Sequence, residues 1–382
     1  MPHLPLSAAE LALLSAFEQQ QRWCAQPSPF TAALLGAGRA WLQADPVARR
    51  LFVDLLAADP AAQADPLAGA VPLRWAGALH HLALLGRTPW AALWPTGAAA
   101  PVPPTPEALA HAVQAAWLLQ QPLLKAALAH APQTNEVQRS AALLPGLLHL
   151  AQATGLPLAL CELGASAGLN LWPERHRVDY GAWSAGPADA ALQLQADWRG
   201  PVPAYAQARL QVAERAACDA QPVDLQAPGE ALRLTSFIWP DQADRLARLH
   251  RALQRVPGWL AAEGVAVRAQ DAAAFVAEQL AASRPGRCTV LLHSIVWQYL
   301  PAATQGDIRQ HLAQAGARAT TEAPLAWLRL EPPAADRPVE LRCTLWPGGA
   351  DRRLALAHPH GAWLQADLDT EVDAPPAHPH AA

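Results

Sequence analysis

The spacing of the apolar residues changes at about Gln133, and this change limits the folds that the chain can adopt. From Ala8 to about His130, apolar residues recur three and four positions apart, which is typical of amphipathic helices. Proline- and glycine-rich breaks divide this stretch into five or six helices without a convincing strand. Residues 1–132 are therefore predicted to form a helical N-terminal domain.

After Gln133, short apolar runs alternate with helical stretches. The strand-like runs are Leu158–Leu163, Leu210–Cys218, Val265–Ala269, Cys288–Leu292 and Leu325–Leu330. The helical stretches between them include Asp241–Gln254, Ala272–Ala282 and Pro301–Ala315. Strands that alternate with helices imply parallel pairing with right-handed crossovers. Residues 133–372 are therefore predicted to form a Rossmann-like α/β domain.

The end of this domain has a different pattern. Two strand-like runs, Glu340–Leu345 and Arg353–Ala357, are separated by a turn-rich segment, which predicts an antiparallel hairpin that finishes the sheet. The segment at about 172–205, rich in Pro, Gly and Trp, is predicted to be an insertion. The tail at 373–382 has few groups to bury and is predicted to be disordered.

Charge and cysteine content argue against several classes of function. The chain has 28 basic and 32 acidic side chains and no run of Lys or Arg that could follow a phosphate backbone, so a nucleic-acid partner is not expected. The five cysteines are far apart without a C-x-x-C pair, which predicts neither a metal site nor a disulfide framework. The oligomeric state is left open by the sequence.

No membrane association is expected either. The most apolar stretch, Ala141–Leu171, is interrupted by prolines and polar residues, whereas a membrane span needs about 20 nearly uninterrupted apolar residues. The first residues contain no basic segment ahead of an apolar one. These features predict a cytoplasmic protein without a signal peptide.

The first strand-like run leads into a glycine-containing motif, Glu162-Leu-Gly164-Ala-Ser166-Ala-Gly168. This pattern predicts a buried strand, a tight turn and then a helix, because glycines allow positive φ and the first N–H groups of a helix can face a ligand. The motif resembles the first motif of class I S-adenosylmethionine-dependent methyltransferases, an acidic residue followed by G-x-G-x-G, with Ser166 in place of the middle glycine. The G-x-G-x-x-G fingerprint of dinucleotide-binding proteins is not matched.

This resemblance implies roles for the motif residues. Glu162 would face the amino group of the methionine part of S-adenosylmethionine, and the backbone from Gly164 to Gly168 would lie beneath the amino-acid part. The alternative is an ordinary strand-to-helix turn with a carboxylate that caps the helix.

Two aspartates follow the next strands. Asp219 ends the second strand, where the cofactor's ribose needs a carboxylate, although Asp224 is a rival and Asp219 could simply form a turn. Asp271 follows the third strand, at the position where this fold contacts adenine, and it could equally cap the helix Ala272–Ala282.

The fourth strand ends at His293. An unperturbed histidine pKa of about 6.5 suits proton abstraction near neutrality, so His293 is a candidate general base toward an acceptor hydroxyl. The alternative is a histidine that hydrogen-bonds at the end of a strand. A second histidine feature, His80-His81, interrupts an apolar helical pattern, and a core histidine is the simpler interpretation there.

Four segments together identify the chain as a member of an uncharacterised bacterial family, domain of unknown function 2332. These are Gln133–Glu136 with Arg139-Ser140, Glu162–Asn170, Trp239–Gln242, and His293-Ser294 with Tyr299–Pro301. The membership implies a methyltransferase-like fold without an established reaction, and a small-molecule acceptor is expected. Further pocket candidates are Asn135, Glu136, Arg139, Asn170 and Ser294 from these segments, and Trp297 from the stretch between Ser294 and Tyr299. Glu136 and Arg139 can pair on one helix face, although a surface capping segment is an alternative.

Two other functions compete with a methyltransferase. Gly164-Ala-Ser166-Ala-Gly168 also matches the G-x-S-x-G nucleophile elbow of α/β-hydrolases. Such an elbow follows several earlier strands, one of whose loops provides half of the oxyanion hole, but the residues before Leu158 have a helical pattern. A catalytically inactive cofactor-binding regulator is the other alternative, because a fold does not dictate its function.

Overall fold

The computed structural model describes residues 5–86, 88–95, 104–128, 132–334 and 337–367. The chain divides into two compact units. The first unit consists of Met1–Thr134 and Ala227–Leu249, and the second of Asn135–Gln226 and His250–Ala382. The tail predicted to be disordered, 373–382, lies outside the described residues.

The described helices follow the chain in this order: Ala8–Cys24 (α1), Pro29–Ala44 (α2), Pro46–Leu55 (α3), Pro60–Ala64 (α4), Val71–Leu84 (α5), Pro106–Leu119 (α6), Gln121–Leu128 (α7), Arg139–Thr154 (α8), Glu230–Ser236 (α9), Ala243–Glu263 (α10), Ala272–Gln279 (α11) and Ala302–Gly316 (α12). The described strands are Leu158–Leu163 (β1), His176–Asp179 (β2), Ser184–Ala185 (β3), Leu192–Gln195 (β4), Asp197–Arg199 (β5), Val212–Asp219 (β6), Val267–Ala269 (β7), Cys288–Ser294 (β8), Leu325–Glu331 (β9), Val339–Trp346 (β10), Ala350–Ala357 (β11) and Trp363–Ala366 (β12).

The first unit is helical, as the sequence predicts for the N-terminal region. Helix α1 starts with a capping box, in which Ser7 and Glu10 each accept a hydrogen bond from the other's backbone N–H. Helices α2, α3, α4 and α6 each begin with proline after a Ser, Asp or Thr cap, a combination that satisfies the first N–H groups. The core of this unit contains edge-to-face contacts of Phe17 with Phe52 and Trp75.

The segment Ala227–Leu249 also belongs to the helical unit, although it follows β6 in the chain. Asp241 accepts a hydrogen bond from the backbone N–H of Phe30 at 2.9 Å and another from the Ser28 hydroxyl, so it helps to cap α2. From the sequence, this segment is predicted to belong to the Rossmann-like domain at residues 133–372. Periodicity alone cannot assign it to the helical unit, because the helices of both units have the same 3.6-residue period.

The second unit contains a nine-stranded, mostly parallel sheet with the order β5-β12-β11-β10-β9-β8-β1-β6-β7. All five strands predicted from the apolar runs form one parallel block, β7-β6-β1-β8-β9. The predicted antiparallel hairpin is present as β10 and β11, and β10 pairs antiparallel with β9. The mixed α/β class is therefore confirmed.

The segment predicted as an insertion lies between β1 and β6. It contains β2, β3 and β4, which form a small separate sheet in the order β3-β2-β4. It also contains β5, which pairs with β12 at the far edge of the large sheet.

Helices cover both faces of the large sheet. Helix α8 lies on one face, where the side chain of Leu328 packs against Gly146. Helices α11 and α12 lie on the other face, where Phe275 and Ile308 share a buried cluster with Leu163. Because side chains alternate between faces along a strand, the position of a residue in its strand decides which of these layers it meets.

The predicted helix after the Gly164–Gly168 turn is wrong. Residues 166–170 form consecutive turns, and a short 3-10 helix at Pro173–Arg175 leads directly into β2. Pro173 disfavours helical backbone just before it, and the backbone groups of Leu169 and Leu171 bond to side chains from elsewhere in the unit. The helix that was expected to present its N-terminus to a ligand at this turn is therefore not formed.

Candidate functional site

The candidate site lies where β1, β6 and β8 end, at the carboxyl edge of the parallel block. The chain leaves β1 through Gly164 and Gly168, which have φ of +63° and +71°. A Cβ on Gly164 would lie 2.4 Å from Cγ2 of Val296, so a side chain has no room there. Glycine is required at this position by both its backbone conformation and the close approach of Val296.

Ser166 occupies the middle of the turn with φ of +53°, a conformation that non-glycine residues rarely adopt. Two backbone hydrogen bonds hold it, from its N–H to Oδ2 of Asp219 at 2.9 Å and from the N–H of Val223 to its carbonyl at 3.1 Å. Its hydroxyl is buried and has no hydrogen-bond partner. The serine that replaces the middle glycine thus still adopts a left-handed backbone.

Glu162 is a buried ionisable group of the second unit. Its side chain is 2% exposed, and Oε2 is buried without a hydrogen-bond partner. Burial, and to a smaller extent the nearby charge of Asp219, raise the pKa of Glu162 to about 8 against the opposing effect of Arg139. A buried carboxyl group with an unsatisfied oxygen is suited to receive a cationic donor.

A hydrogen-bond network holds the outer side of the turn. Oδ1 of Asn135 accepts from the N–H of Leu169 at 2.8 Å. Asn170 donates to the carbonyl of Glu136 at 3.3 Å and accepts from the Ser140 hydroxyl at 2.8 Å. The segment that precedes α8 therefore supports the turn in place of the missing helix.

We expect Asn170→Ala to lower the free energy of unfolding by roughly 1–3 kcal/mol, because it leaves buried groups on Glu136 and Ser140 unsatisfied. Ser140→Ala removes only one of these bonds and should cost less, about 1 kcal/mol. Urea unfolding of both variants and of the double variant measures the coupling. Equal costs for the two single variants would contradict the role of Asn170 as the centre of the network.

Arg139 connects three parts of the edge. Its Nε donates to the carbonyl of Pro359 at 3.1 Å, and its NH1 donates to the carbonyl of Ser294 at 3.4 Å. Its neighbour Gln138 donates to the carbonyls of Gln195 and Gly361. The start of α8 therefore joins the end of β8, the loop after β11 and the small sheet.

The two aspartates near β6 differ in placement. Asp219 lies beside the turn, with Oδ2 bonded to Ser166 and Oδ1 accepting from the N–H of Gln221 at 2.8 Å. Asp224 is exposed and accepts from the N–H of Gln226, which is a local turn. Asp271 is exposed and caps α11 by accepting from the N–H of Ala274, the alternative that the sequence left open.

The geometry of His293 does not support the predicted role of general base. Its Nδ1 lies 2.7 Å from Oε1 of Glu331, and its Nε2 accepts from the indole N–H of Trp327 at 3.0 Å. The ring is 1% exposed, so neither nitrogen can reach a substrate. Its partner in register is Leu163, which places His293 on the α11–α12 face, opposite Glu162.

The other pocket candidates divide between the two faces. Ser294 follows His293 and therefore lies on the Glu162 face. The ring of Trp297 stacks on the His293 ring, with centroids 5.2 Å apart, so it belongs to the opposite side. Sequence reasoning missed Val296 and Glu331, because only the folded chain shows that they contact Gly164 and His293.

A cavity of about 310 Å³ lies elsewhere, along the first half of β1 and β6. The charged groups that line it are paired, Glu214 with Arg284 and Arg215 with Glu263. This cavity is separate from the predicted site at the opposite ends of these strands.

The first of the two adjacent histidines of α5 is a core residue. His80 is buried, and its Nδ1 bonds to the carbonyl of Ser236 at 3.1 Å, as a core histidine would.

Among the described residues, no group of three or more His, Cys, Asp or Glu side chains could hold a metal ion. No helix within the ranges given above is long and apolar enough to cross a membrane.

The fold and the edge site define a mixed α/β protein with a helical N-terminal region and a candidate ligand site at the end of its central strand. The family model described as "uncharacterized protein conserved in bacteria" (DUF2332) matches residues 15–366, so the chain belongs to this family. No curated protein matches the chain. No solved structure matches it either.

Proposed function

We propose that the second unit binds S-adenosylmethionine at the carboxyl edge of β1 and that the protein is a methyltransferase for a small-molecule acceptor. The observation that carries this proposal is Glu162, a buried carboxyl group with an unsatisfied oxygen beside a tight glycine turn. The ammonium group of the methionine part would provide both the missing hydrogen-bond donor and a compensating positive charge.

The strand order supports the same location. After β1 the chain builds the sheet in one direction through β6 and β7, and then in the other direction through β8 and β9. Ligands of open α/β sheets bind outside the carboxyl ends of the strands where the order reverses. Here the reversal falls between β1 and β8, and Glu162 lies in β1. A parallel block with an antiparallel neighbour for β9 resembles the sheet of class I methyltransferases.

The residues of the edge would have distinct tasks. Glu162 would hold the ammonium group, the backbone from Gly164 to Gly168 would lie under the amino-acid part, and Asp219 would accept from the ribose hydroxyls. Each carboxylate oxygen of Asp219 has two lone pairs, so its bonds to Ser166 and Gln221 leave capacity for a ribose. When bound, S-adenosylmethionine supplies an electrophilic methyl group on its sulfonium.

The hydrolase alternative has less support than the sequence alone gave it. A nucleophile elbow is a strand, a turn and an α-helix, whereas this turn leads through the short 3-10 helix Pro173–Arg175 into β2. The Ser166 hydroxyl has no partner that could activate it, and His293 is engaged on the other face of the sheet. We therefore assign Ser166 a backbone role.

Titration calorimetry with S-adenosylmethionine tests the proposal. We expect saturable heat and a rise in melting temperature, since a ligand at about 100 times its Kd stabilises by about 2.7 kcal/mol. A fluorophosphonate probe should leave Ser166 unlabelled. No heat at millimolar ligand would refute the proposal, and binding without turnover of any acceptor would favour the regulator. Labelling that disappears in Ser166→Ala would favour the hydrolase.

A further inference from the structure

His293 and Glu331 form a buried pair that the proposed reaction does not use. They end the neighbouring strands β8 and β9, and Nδ1 of His293 lies 2.7 Å from Oε1 of Glu331. Because the indole N–H of Trp327 can only donate, Nε2 of His293 must be an acceptor and Nδ1 must carry the proton. The imidazole is therefore neutral and donates to the carboxylate.

The same carboxylate oxygen also holds the chain that leaves β8. Oε1 of Glu331 accepts from the N–H of Val296 at 3.0 Å and from the N–H of Trp297 at 3.3 Å, in addition to His293. The Glu331 side chain is 11% exposed. A charged acceptor makes stronger hydrogen bonds than a neutral one, so this oxygen holds the backbone at Val296 and Trp297 firmly.

This segment is strained at its first residue. Ile295 has φ of +54°, a left-handed conformation that is unfavourable for a β-branched side chain. Such strain persists only where the surrounding structure enforces it, and it is concentrated at functional sites. The bonds from Glu331 to the next two residues and the stacking of Trp297 on His293 provide that enforcement.

The strained segment contacts the candidate ligand site through Val296. Its methyl groups fill the space beside Gly164, where a Cβ would lie 2.4 Å from Cγ2 and 2.8 Å from Cγ1. The side of the sheet that carries His293 is thereby connected to the turn that leaves β1.

We propose that His293 and Glu331 are positioning residues that hold Ile295–Tyr299 against the glycine turn, so that Val296 shapes the ligand site on its β8 side. This inference rests on the proposed function for its ligand and gives His293 a role other than proton transfer. The pair acts on the ligand only through Val296 and the turn.

Glu331→Gln tests this role, because glutamine keeps the size of the side chain and an acceptor oxygen but loses the charge. We expect the Kd for S-adenosylmethionine to rise about 10-fold or more. Amide hydrogen exchange should accelerate at Val296, at Trp297 and in the turn Gly164–Gly168. Glu340→Gln is a matched control, since Glu340 is opposite Glu331 in register, its side chain is 12% exposed, and it bonds to Arg342 and Arg353 instead.

The control separates positioning from general stability. The control variant should lose stability but keep the wild-type Kd and the protection of the turn. If both variants bind S-adenosylmethionine as tightly as wild type, the positioning role is refuted. If the wild-type protein does not bind S-adenosylmethionine at all, the proposed function fails, and the hydrogen-exchange data alone then decide whether Glu331 positions the segment. Loss of turn protection only in Glu331→Gln supports the positioning role, and unchanged protection overturns it.

Discussion

Glu162→Gln is expected to weaken S-adenosylmethionine binding by roughly 2–5 kcal/mol, which is about 30-fold or more in Kd. The substitution keeps the size of the side chain and removes the charge that would hold the ammonium group. Calorimetry at pH 8 measures the change, because the wild-type group is then about half ionised, with its pKa raised to about 8 chiefly by burial. Glu278→Gln, an exposed change on α11, should leave binding unaltered.

The same variant gives a pH test that needs no ligand. The folded state holds the Glu162 proton more tightly than the unfolded state, whose pKa is near the usual 4.5, so wild-type stability falls as pH rises from about 5 to about 8. The fall amounts to at most about 1.4 kcal/mol per pH unit. Glu162→Gln lacks this loss, so its stability relative to wild type should rise with pH. Parallel curves for the two proteins would show that Glu162 is already ionised in the fold.

Gly164→Ala is expected to lower the free energy of unfolding by roughly 2–5 kcal/mol and to abolish the response to S-adenosylmethionine. The left-handed backbone costs about 1–2 kcal/mol for a residue with a Cβ. Displacement of Val296, whose Cγ2 would lie 2.4 Å from the new atom, adds roughly 1–3 kcal/mol. Chemical denaturation and thermal shift with ligand measure the two effects.

Two further variants separate these contributions. Gly155 has a similar φ of +67° with nothing within 4 Å of a new Cβ, so Gly155→Ala should show the backbone cost alone. Combining Gly164→Ala with Val296→Ala removes the clash and should recover part of the stability. Equal losses for Gly155→Ala and Gly164→Ala would mean that Val296 does not confine the turn.

Apolar runs predicted the centre of the parallel block well, because β1 and β8 are buried along their whole length and carry a nearly continuous apolar sequence. The small sheet was not predicted, since β2 and β4 have only four residues each, with alternating burial that a short window does not distinguish from a loop. The helix expected after Gly168 fails for a tertiary reason. Asn135 and Arg215 bond to the backbone of that segment, and their proximity cannot be read from the sequence.

Residues from two of the quoted motifs meet in the fold, and their role in a ligand site stays a prediction. Asn170 follows Ser140 by 30 residues but bonds to it, and Asn135 bonds to the adjacent Leu169. The expectation for His293 depended on its position at a strand end, which is correct, but also on the face to which its side chain points. That face follows from the register of β8 against β1, and a shift of one residue would have reversed it.

The edge strand β5 has a consequence for the order in which the chain folds. Its pairing partner is β12 at Trp363–Ala366, close to the C-terminal end of the described chain. The strand that follows β5 in the sequence, β6, pairs instead with β1. During synthesis the β5–β12 pairing must wait until Trp363–Ala366 has left the ribosome, because domains acquire their contacts as the chain emerges. Contacts of such long sequence separation also form slowly. The β5 part of the insertion thus pairs with the large sheet only after the strands that carry Glu162 and Asp219 have been synthesised.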